Sequence, residues 1–269
     1  MRTLVWLAVC CSFTGFYVLH VIIRNVLWKF SKLSYGQCYC VTTSVISALQ
    51  SLIVSILSGR AFLLCQDIMH DGDEILEIYI LISSAYLLYD LYAMYEGFVL
   101  RLRETEEKVA ESSTVVLFMK KHTFLVIHHV IAECYGLPVV TTWRGGLGLF
   151  FIAGFFLAEI STPFHNIRGI LLVVGIKSGL FYNVNGILFM ITFFLARVCM
   201  VPYLYYRYAV YKGISFLSVP SSIPLHCNIA SAAFLLLQVY WFTLIMNHFS
   251  TKLLQLLQPR KAVDSSKND

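Results

Sequence analysis

Long apolar stretches dominate this 269-residue chain, and seven of them are long enough, or nearly so, to cross about 30 Å of hydrocarbon as α-helices. These predicted spans occupy 3–23, 38–57, 75–100, 123–140, 146–164, 184–206 and 223–246. A further apolar piece at 169–181 is short and contains Lys177, so the count ranges from six to eight. The sequence therefore predicts an all-α fold, a polytopic transmembrane helix bundle of about seven spans.

The composition agrees with a membrane protein. Hydrophobic residues make up 58% of the chain and charged residues only 13%, about half the share in a soluble domain. The mean hydropathy is +0.74. A globule of this length cannot bury so much apolar surface. A cytosolic enzyme, a disordered protein and a secreted disulfide scaffold are therefore excluded.

Lysine and arginine are unevenly distributed between the two sets of connections. Fourteen of the 20 basic residues follow spans one, three and five or lie in the C-terminal tail, against five on the opposite side. The positive-inside rule then predicts a lumenal or outside N-terminus and a cytosolic C-terminus.

Four ionisable residues stand out as candidates within the predicted spans: Asp90, Glu133, Glu159 and Arg197. Each costs about 2.5–3.5 kcal/mol at the centre of a membrane helix, so we expect them to face one another or a central cavity rather than lipid. Arg197 is expected to pair with Asp90 or Glu159. The alternative is a structural ion pair without chemistry.

Adjacent histidines, His128 and His129, lie in the fourth span, and Glu133 follows on the face of His129. A histidine beside a carboxylate can serve as a general base or as a nucleophile for acyl transfer. Hydrogen bonding between helices is the alternative. A metal site would need more ligands at fixed spacing, which His122 and His165 do not supply, so we expect no metal.

Other polar residues also lie in or beside the spans. Tyr86 and Asp90 share one face of the third span, and Tyr89 precedes the aspartate. A Tyr-Asp pair near the centre of an apolar run fits poorly with an interfacial aromatic belt. Pro163 ends the fifth span among polar groups, and Asn185 begins the sixth.

In order and spacing these residues resemble the TLC-domain family, which includes ceramide synthases, translocon-associated membrane proteins and lipid-homeostasis proteins. The residues that carry the resemblance are Tyr86-x-x-Tyr89-Asp90, His128-His129, Ala158-Glu159-Ile-Ser161-Thr162-Pro163-Phe164, Asn185-Gly186-Ile187 and Arg197-x-x-x-x-Pro202. The resemblance implies a TLC domain at 38–248. A first transmembrane helix with a basic linker would precede it at 1–37, and a cytosolic polar tail would follow at 249–269.

The family resemblance implies a role in sphingolipid metabolism, as a ceramide synthase that transfers an acyl group from acyl-CoA to a sphingoid base. Acyl-CoA would be a co-substrate, with no bound cofactor, and the partners would be the sphingoid base and ceramide rather than nucleic acid. The membrane would be that of the endoplasmic reticulum or Golgi, with the plasma membrane as an alternative. Catalysis is assigned to His128, His129, Glu159 and Asp90. Substrate binding is assigned to Tyr86, Tyr89, Glu133, Arg197 and Asn185.

This chain departs from the family pattern at one segment. The resemblance brings a histidine and two acidic residues to the end of the fifth span, where this chain has Ala158, Glu159 and Thr162. The alternative function is therefore a non-catalytic lipid-binding protein that regulates membrane lipid composition. A seven-helix receptor is a weaker alternative, since only the span count suggests it.

Overall fold

A computed structural model describes residues 2–104 and 111–257, and all regular secondary structure in these two segments is helical. In chain order the α-helices are α1 (Arg2–Phe30), α2 (Tyr35–Leu64), α3 (Glu74–Glu104), α4 (Glu111–Lys121), α5 (Thr123–Ile131), α6 (Leu149–Phe156), α7 (Thr162–Val173), α8 (Leu180–Phe193), α9 (Met200–Lys212), α10 (Val219–Ser222) and α11 (Leu225–Leu257). The π-helical segments are Ala132–Gly136, Val139–Trp143 and Phe194–Val198, and the 3-10 segments are Leu157–Ser161 and Phe216–Ser218.

Within the described residues, six helical segments are long and apolar enough to cross a membrane. They are Leu7–Phe30, Tyr35–Leu64, Glu74–Glu104, Thr123–Trp143, Leu180–Lys212 and Leu225–Thr251. Their outer surfaces display many exposed leucine, isoleucine, valine and aromatic side chains, as a lipid-facing surface requires. The predicted fold class, an all-α membrane bundle of six to eight spans, is confirmed.

The fifth predicted span, 146–164, has the wrong bounds and is not a single α-helix. The chain runs from α6 through the 3-10 segment into α7, which continues to Val173. Pro163 lies at the start of α7, where its missing N–H costs no helical bond, and the chain tightens into the 3-10 segment just before it. The apolar piece 169–181 is divided between α7 and α8 rather than forming a separate element.

Two predicted boundaries also shift. Helix α1 continues to Phe30, so Arg24 and Lys29 belong to its last turns rather than to a linker. Helix α2 then begins after Ser34, whose hydroxyl accepts from the Gln37 amide while the Gln37 side chain accepts from the Ser34 amide. This reciprocal capping satisfies two backbone donors at the helix start.

Two polar segments of the chain, 101–113 and the C-terminal tail, are only partly described. The first, 101–113, begins as the end of α3, which continues to Glu104, and resumes as α4 at Glu111, while 105–110 lie outside the described residues. The C-terminal tail predicted at 249–269 begins as helix, because α11 continues to Leu257. Residues 258–269 lie outside the described part of the chain.

Helix α2 is the centre of the bundle and packs against α1, α3, α6 and α7. Its contact faces contain small, fully buried residues, among them Cys38, Thr42, Ser51 and Ser58. Small side chains let helix backbones approach closely, which is how helices pack in a membrane where no hydrophobic effect drives them together. Helix α1 lies outside this centre, against α2 and α3.

Prolines account for the π-helical segments. Pro202 has no N–H to give to the Val198 carbonyl, and just before it the Cys199 amide donates to the Phe194 carbonyl, five residues back, at 3.0 Å. Pro138 separates the other two wide turns in the same way. Such turns displace side chains from the regular helical register, and they hold Glu133 and Arg197.

Candidate functional site

A cavity of about 1380 Å³ lies among α2, α3, α5, α6, α7, α8, α9 and α11. It is larger than the roughly 300–1,000 Å³ of ordinary small-molecule sites, and most of its wall is apolar. Within the described residues, α1 contributes no side chain to this wall. The cavity therefore has the size and lining to hold a lipid chain.

His129 is held in place by both nitrogens of its ring. Its Nδ1 lies 2.9 Å from the Leu125 carbonyl oxygen, and its Nε2 lies 3.1 Å from Oδ2 of Asp90. A carbonyl can only accept, so Nδ1 carries a proton, and the second proton of the pair lies between Nε2 and the Asp90 carboxyl. His129 is 4% exposed and presents no free lone pair to the cavity.

His128 lies beside His129 but is oriented differently, with the two ring planes at 88°. Its ring lines the cavity and contacts Trp241 edge to face at 6.1 Å between centroids. No described residue forms a hydrogen bond with the His128 ring. This imidazole therefore has a nitrogen lone pair available to whatever enters the cavity.

Arg197 organises a second polar group on the cavity wall. Its Nε donates to the Ser161 hydroxyl at 2.8 Å, and its Nη2 donates to the Thr162 hydroxyl at 2.8 Å. Nη2 also lies 3.5 Å from Oε1 of Glu159, and the Thr162 hydroxyl donates to Oε2 of the same carboxylate at 2.7 Å. Of the two acidic partners expected for Arg197, the structure pairs it with Glu159, while Asp90 pairs with His129.

Glu133 also lines the cavity, from the π-helical turn after α5. The Ser84 hydroxyl donates to its Oε2 at 2.8 Å, while its Oε1 is buried without a partner among the described residues. One oxygen of the Glu133 carboxylate can therefore still accept a hydrogen bond.

The remaining predicted substrate-binding residues do not all reach the cavity. Tyr86 lines it, but Tyr89 points toward α1, where its hydroxyl lies 2.6 Å from Nδ1 of His20. Asn185 lies within α8 and donates to the Phe164 carbonyl at 2.9 Å, which ties α8 to α7. Neither Tyr89 nor Asn185 is part of the cavity wall.

Sequence reasoning gave no site role to Ser161 or to His165. Ser161 accepts from Arg197, and its position directly after Glu159-Ile was the available signal. His165 lines the cavity from α7, and a lone histidine in a polar helix start carried no signal of its own. Within the described residues, no group of three His, Cys, Asp or Glu side chains could hold a metal ion.

One end of the cavity is electropositive. Lys120, Lys121 and His122 line it there, at the junction of α4 and α5. Burial, together with the positive charges of Lys121 and Arg101, lowers the pKa of His122. Glu104 at the end of α3 accepts a hydrogen bond from the Gly36 amide at 2.8 Å, which holds the start of α2 beside the end of α3. The connection between α1 and α2, with the basic residues near it, therefore lies at the same end of the bundle.

The family model of the TLC domain matches residues 4–247, nearly the whole chain. The chain therefore belongs to the TLC-domain family of multi-pass membrane proteins. It is similar to the human TLC domain-containing protein 4, with 26% identity over 96% of this chain and 94% of the human protein. No solved structure matches the chain.

Proposed function

We propose that this protein is an acyl-CoA-dependent N-acyltransferase of sphingolipid metabolism, a ceramide synthase. The observation on which the proposal depends is the division of the histidine pair. His128 offers a free imidazole nitrogen to a lipid-sized cavity, while Asp90 and the Leu125 carbonyl hold His129 beside it. A free imidazole next to a fixed one is an arrangement suited to acyl transfer.

The chemistry follows from the free nitrogen of His128. The lone pair attacks the thioester carbonyl, the new N–C bond forms, and the C–S bond breaks. The CoA thiolate leaves and takes the proton released from the other nitrogen of the His128 ring. The amine of the sphingoid base then attacks the acyl carbon, the imidazole N–C bond breaks, and the amine proton returns to the ring. The products are ceramide and free CoA thiol.

His129 and Asp90 support this reaction by electrostatics and position. The His129–Asp90 pair fixes the helix segment that presents His128, and the ring of His129 lies 5.7 Å from that of His128. Glu159 and Arg197 also interact electrostatically with His128. Charges fixed before the reaction stabilise a developing oxyanion without reorganisation.

The basic end of the cavity supports acyl-CoA as the co-substrate. Lys120 and Lys121 could attract the phosphates of CoA while the acyl chain enters the apolar interior. The proposed orientation puts this end in the cytosol, where acyl-CoA would be available, with the N-terminus in the lumen of the endoplasmic reticulum or Golgi. The positive-inside signal by itself also explains these lysines.

A second candidate function is non-catalytic lipid binding that regulates membrane composition. It is favoured by Ala158 and Thr162, which replace a histidine and an acid of the family pattern. Thr162 bridges Arg197 and Glu159 through its hydroxyl, so the site has one carboxylate there instead of two. The large apolar cavity serves this function equally well.

The test is N-acylation by purified protein in lipid nanodiscs, with sphingosine and labelled palmitoyl-CoA. We expect wild-type protein to form ceramide and His128→Gln to be at least about 100-fold slower, the usual range for loss of a reacting acid–base group. His226→Gln, which changes an exposed histidine outside the cavity wall, is the matched control. Lipid binding without ceramide formation by the wild type would favour the second function.

A further inference from the structure

His165 is an imidazole on the cavity wall that the reaction described above does not use. It lies in the first turn of α7, and its side chain is exposed and lines the cavity. Its ring contacts Phe189 at 5.4 Å between centroids. No described residue forms a hydrogen bond with its nitrogens, so at least one lone pair is free.

His165 and His128 line the same cavity as the Glu159–Arg197 pair, from two different helices. Glu159 and Arg197 interact electrostatically with both imidazoles. His128 comes from α5, and His165 comes from α7 just beyond the segment that holds Glu159. Close to this ion pair the cavity therefore has two imidazoles with no hydrogen-bonding partner among the described residues, whereas His129 is fully hydrogen-bonded and His122 lies at the basic end.

Two free imidazoles allow the nucleophile and the general base of the reaction to be different residues. Once the acyl group is attached to one nitrogen of His128, it withdraws electron density from the ring, so the other nitrogen becomes a poor base for the amine proton. The attacking amine must nevertheless lose a proton as its bond to the acyl carbon forms. A second base within the same cavity would remove this obstacle.

We propose that His165 is a further catalytic residue, the general base that takes the proton from the amine of the sphingoid base. The inference rests on the proposed acyl transfer. In the second step the amine nitrogen bonds to the acyl carbon, the bond from that carbon to the His128 ring breaks, and the amine proton passes to His165. His165 then returns this proton to the freed His128 ring, so both imidazoles end as they began.

The test separates the two half-reactions. With palmitoyl-CoA alone, release of CoA thiol in a single turnover reports acylation of His128; addition of sphingosine then reports amide formation. We expect His165→Gln to keep the thiol burst and to slow amide formation by roughly 100-fold, without rescue by more sphingosine. His128→Gln should lose both steps, and His226→Gln neither.

A purely structural role predicts a different pattern. If His165 only packs against Phe189, then His165→Gln and Phe189→Leu should change thiol release and amide formation by the same factor. An active wild type with an unchanged amide rate in His165→Gln would overturn this inference alone. A wild type that releases no thiol and forms no amide would overturn the proposed function, and the role of His165 with it.

A second measurement does not depend on activity or on the folding of a variant. Diethyl pyrocarbonate acylates imidazole nitrogens that have a free and accessible lone pair. In folded wild-type protein we expect His128 and His165 to be modified and His129 to be protected, as read by peptide mass spectrometry. Protection of His165 in that experiment would contradict its availability as a base.

Discussion

Histidines lie in two different environments within the helices, and the contrast shows what makes a membrane-embedded polar group reactive. His20 in α1 is 2% exposed, packs against the Tyr39 ring at 4.2 Å between centroids, and shares a hydrogen bond with Tyr89. His128 and His165 instead face a cavity and have no hydrogen-bonding partner among the described residues. The hydrocarbon penalises all three, but only the last two leave lone pairs where a substrate could reach them.

Packing accounts for this difference. Helix α1 lies against α2 and α3 on the outside of the bundle, so its polar residue closes a helix–helix contact. Helices α5 and α7 instead line the cavity wall. A polar residue within an apolar span therefore indicates a site only when its helix borders a cavity.

The largest effect on stability is expected at the charged group of the cavity wall. Arg197→Met leaves the Glu159 carboxylate and two hydroxyls without their common donor, which costs about 3–5 kcal/mol for a broken buried pair. The measurement is the midpoint of thermal unfolding in detergent. Arg207→Met, which removes a contact with the Phe150 ring and the Tyr203 hydroxyl, is the control. Equal shifts for the two variants would contradict the importance of the Arg197 group.

Much of the fold could be predicted from the sequence because a membrane-spanning backbone must satisfy its own hydrogen bonds, which leaves apolar helices of known length. The predicted helix bounds were wrong where a proline or a basic side chain, rather than the length of the apolar stretch, decides where a helix ends. Pro163 divides the fifth span, and Arg24 and Lys29 stay helical because long basic side chains extend to the interface without breaking the helix.

For the candidate site, the sequence predicted that the embedded polar residues lie together, but not which hydrogen bonds each of them makes. The high cost of embedded charge predicted that Asp90 and Arg197 would find partners within the bundle, and both do. Which histidine is free could not be predicted, because it depends on the ring nitrogen that meets the Leu125 carbonyl. Tyr86 and Tyr89 differ by less than one helical turn, yet only the first reaches the cavity.

A smaller effect is expected at the packed histidine. His20→Phe leaves the Tyr89 hydroxyl without its partner, and Tyr89→Phe leaves Nδ1 of His20 without one, so each should cost about 1–3 kcal/mol. The double variant should cost less than the sum, because both orphaned groups are then removed. Unfolding midpoints of the four proteins provide the double-mutant cycle.

The acyl-transfer assay tests the same contrast between the packed His20 and the histidines of the cavity. Because Tyr89 is not part of the cavity wall, the double variant should retain the ceramide-forming rate of the wild type in the nanodisc assay. A large loss of activity without a loss of stability would mean that the contact between His20 and Tyr89 contributes to the reaction after all.

The smallest effect is expected where polar contacts face water, in the loop between α2 and α3. The Met69 amide and the His70 imidazole and amide donate to the Asp67 carboxylate and hold its pKa below the usual value. Since the folded pKa is depressed, Asp67 stabilises the protein above its usual pKa, and this contribution is lost as the pH falls from about 4 through the folded pKa. Asp67→Asn should lower the unfolding midpoint slightly at pH 7, less than either His20→Phe or Tyr89→Phe, and the difference from wild type should vanish in acid. A shift at pH 7 as large as that of Arg197→Met would show that exposure to water does not set the order of these effects.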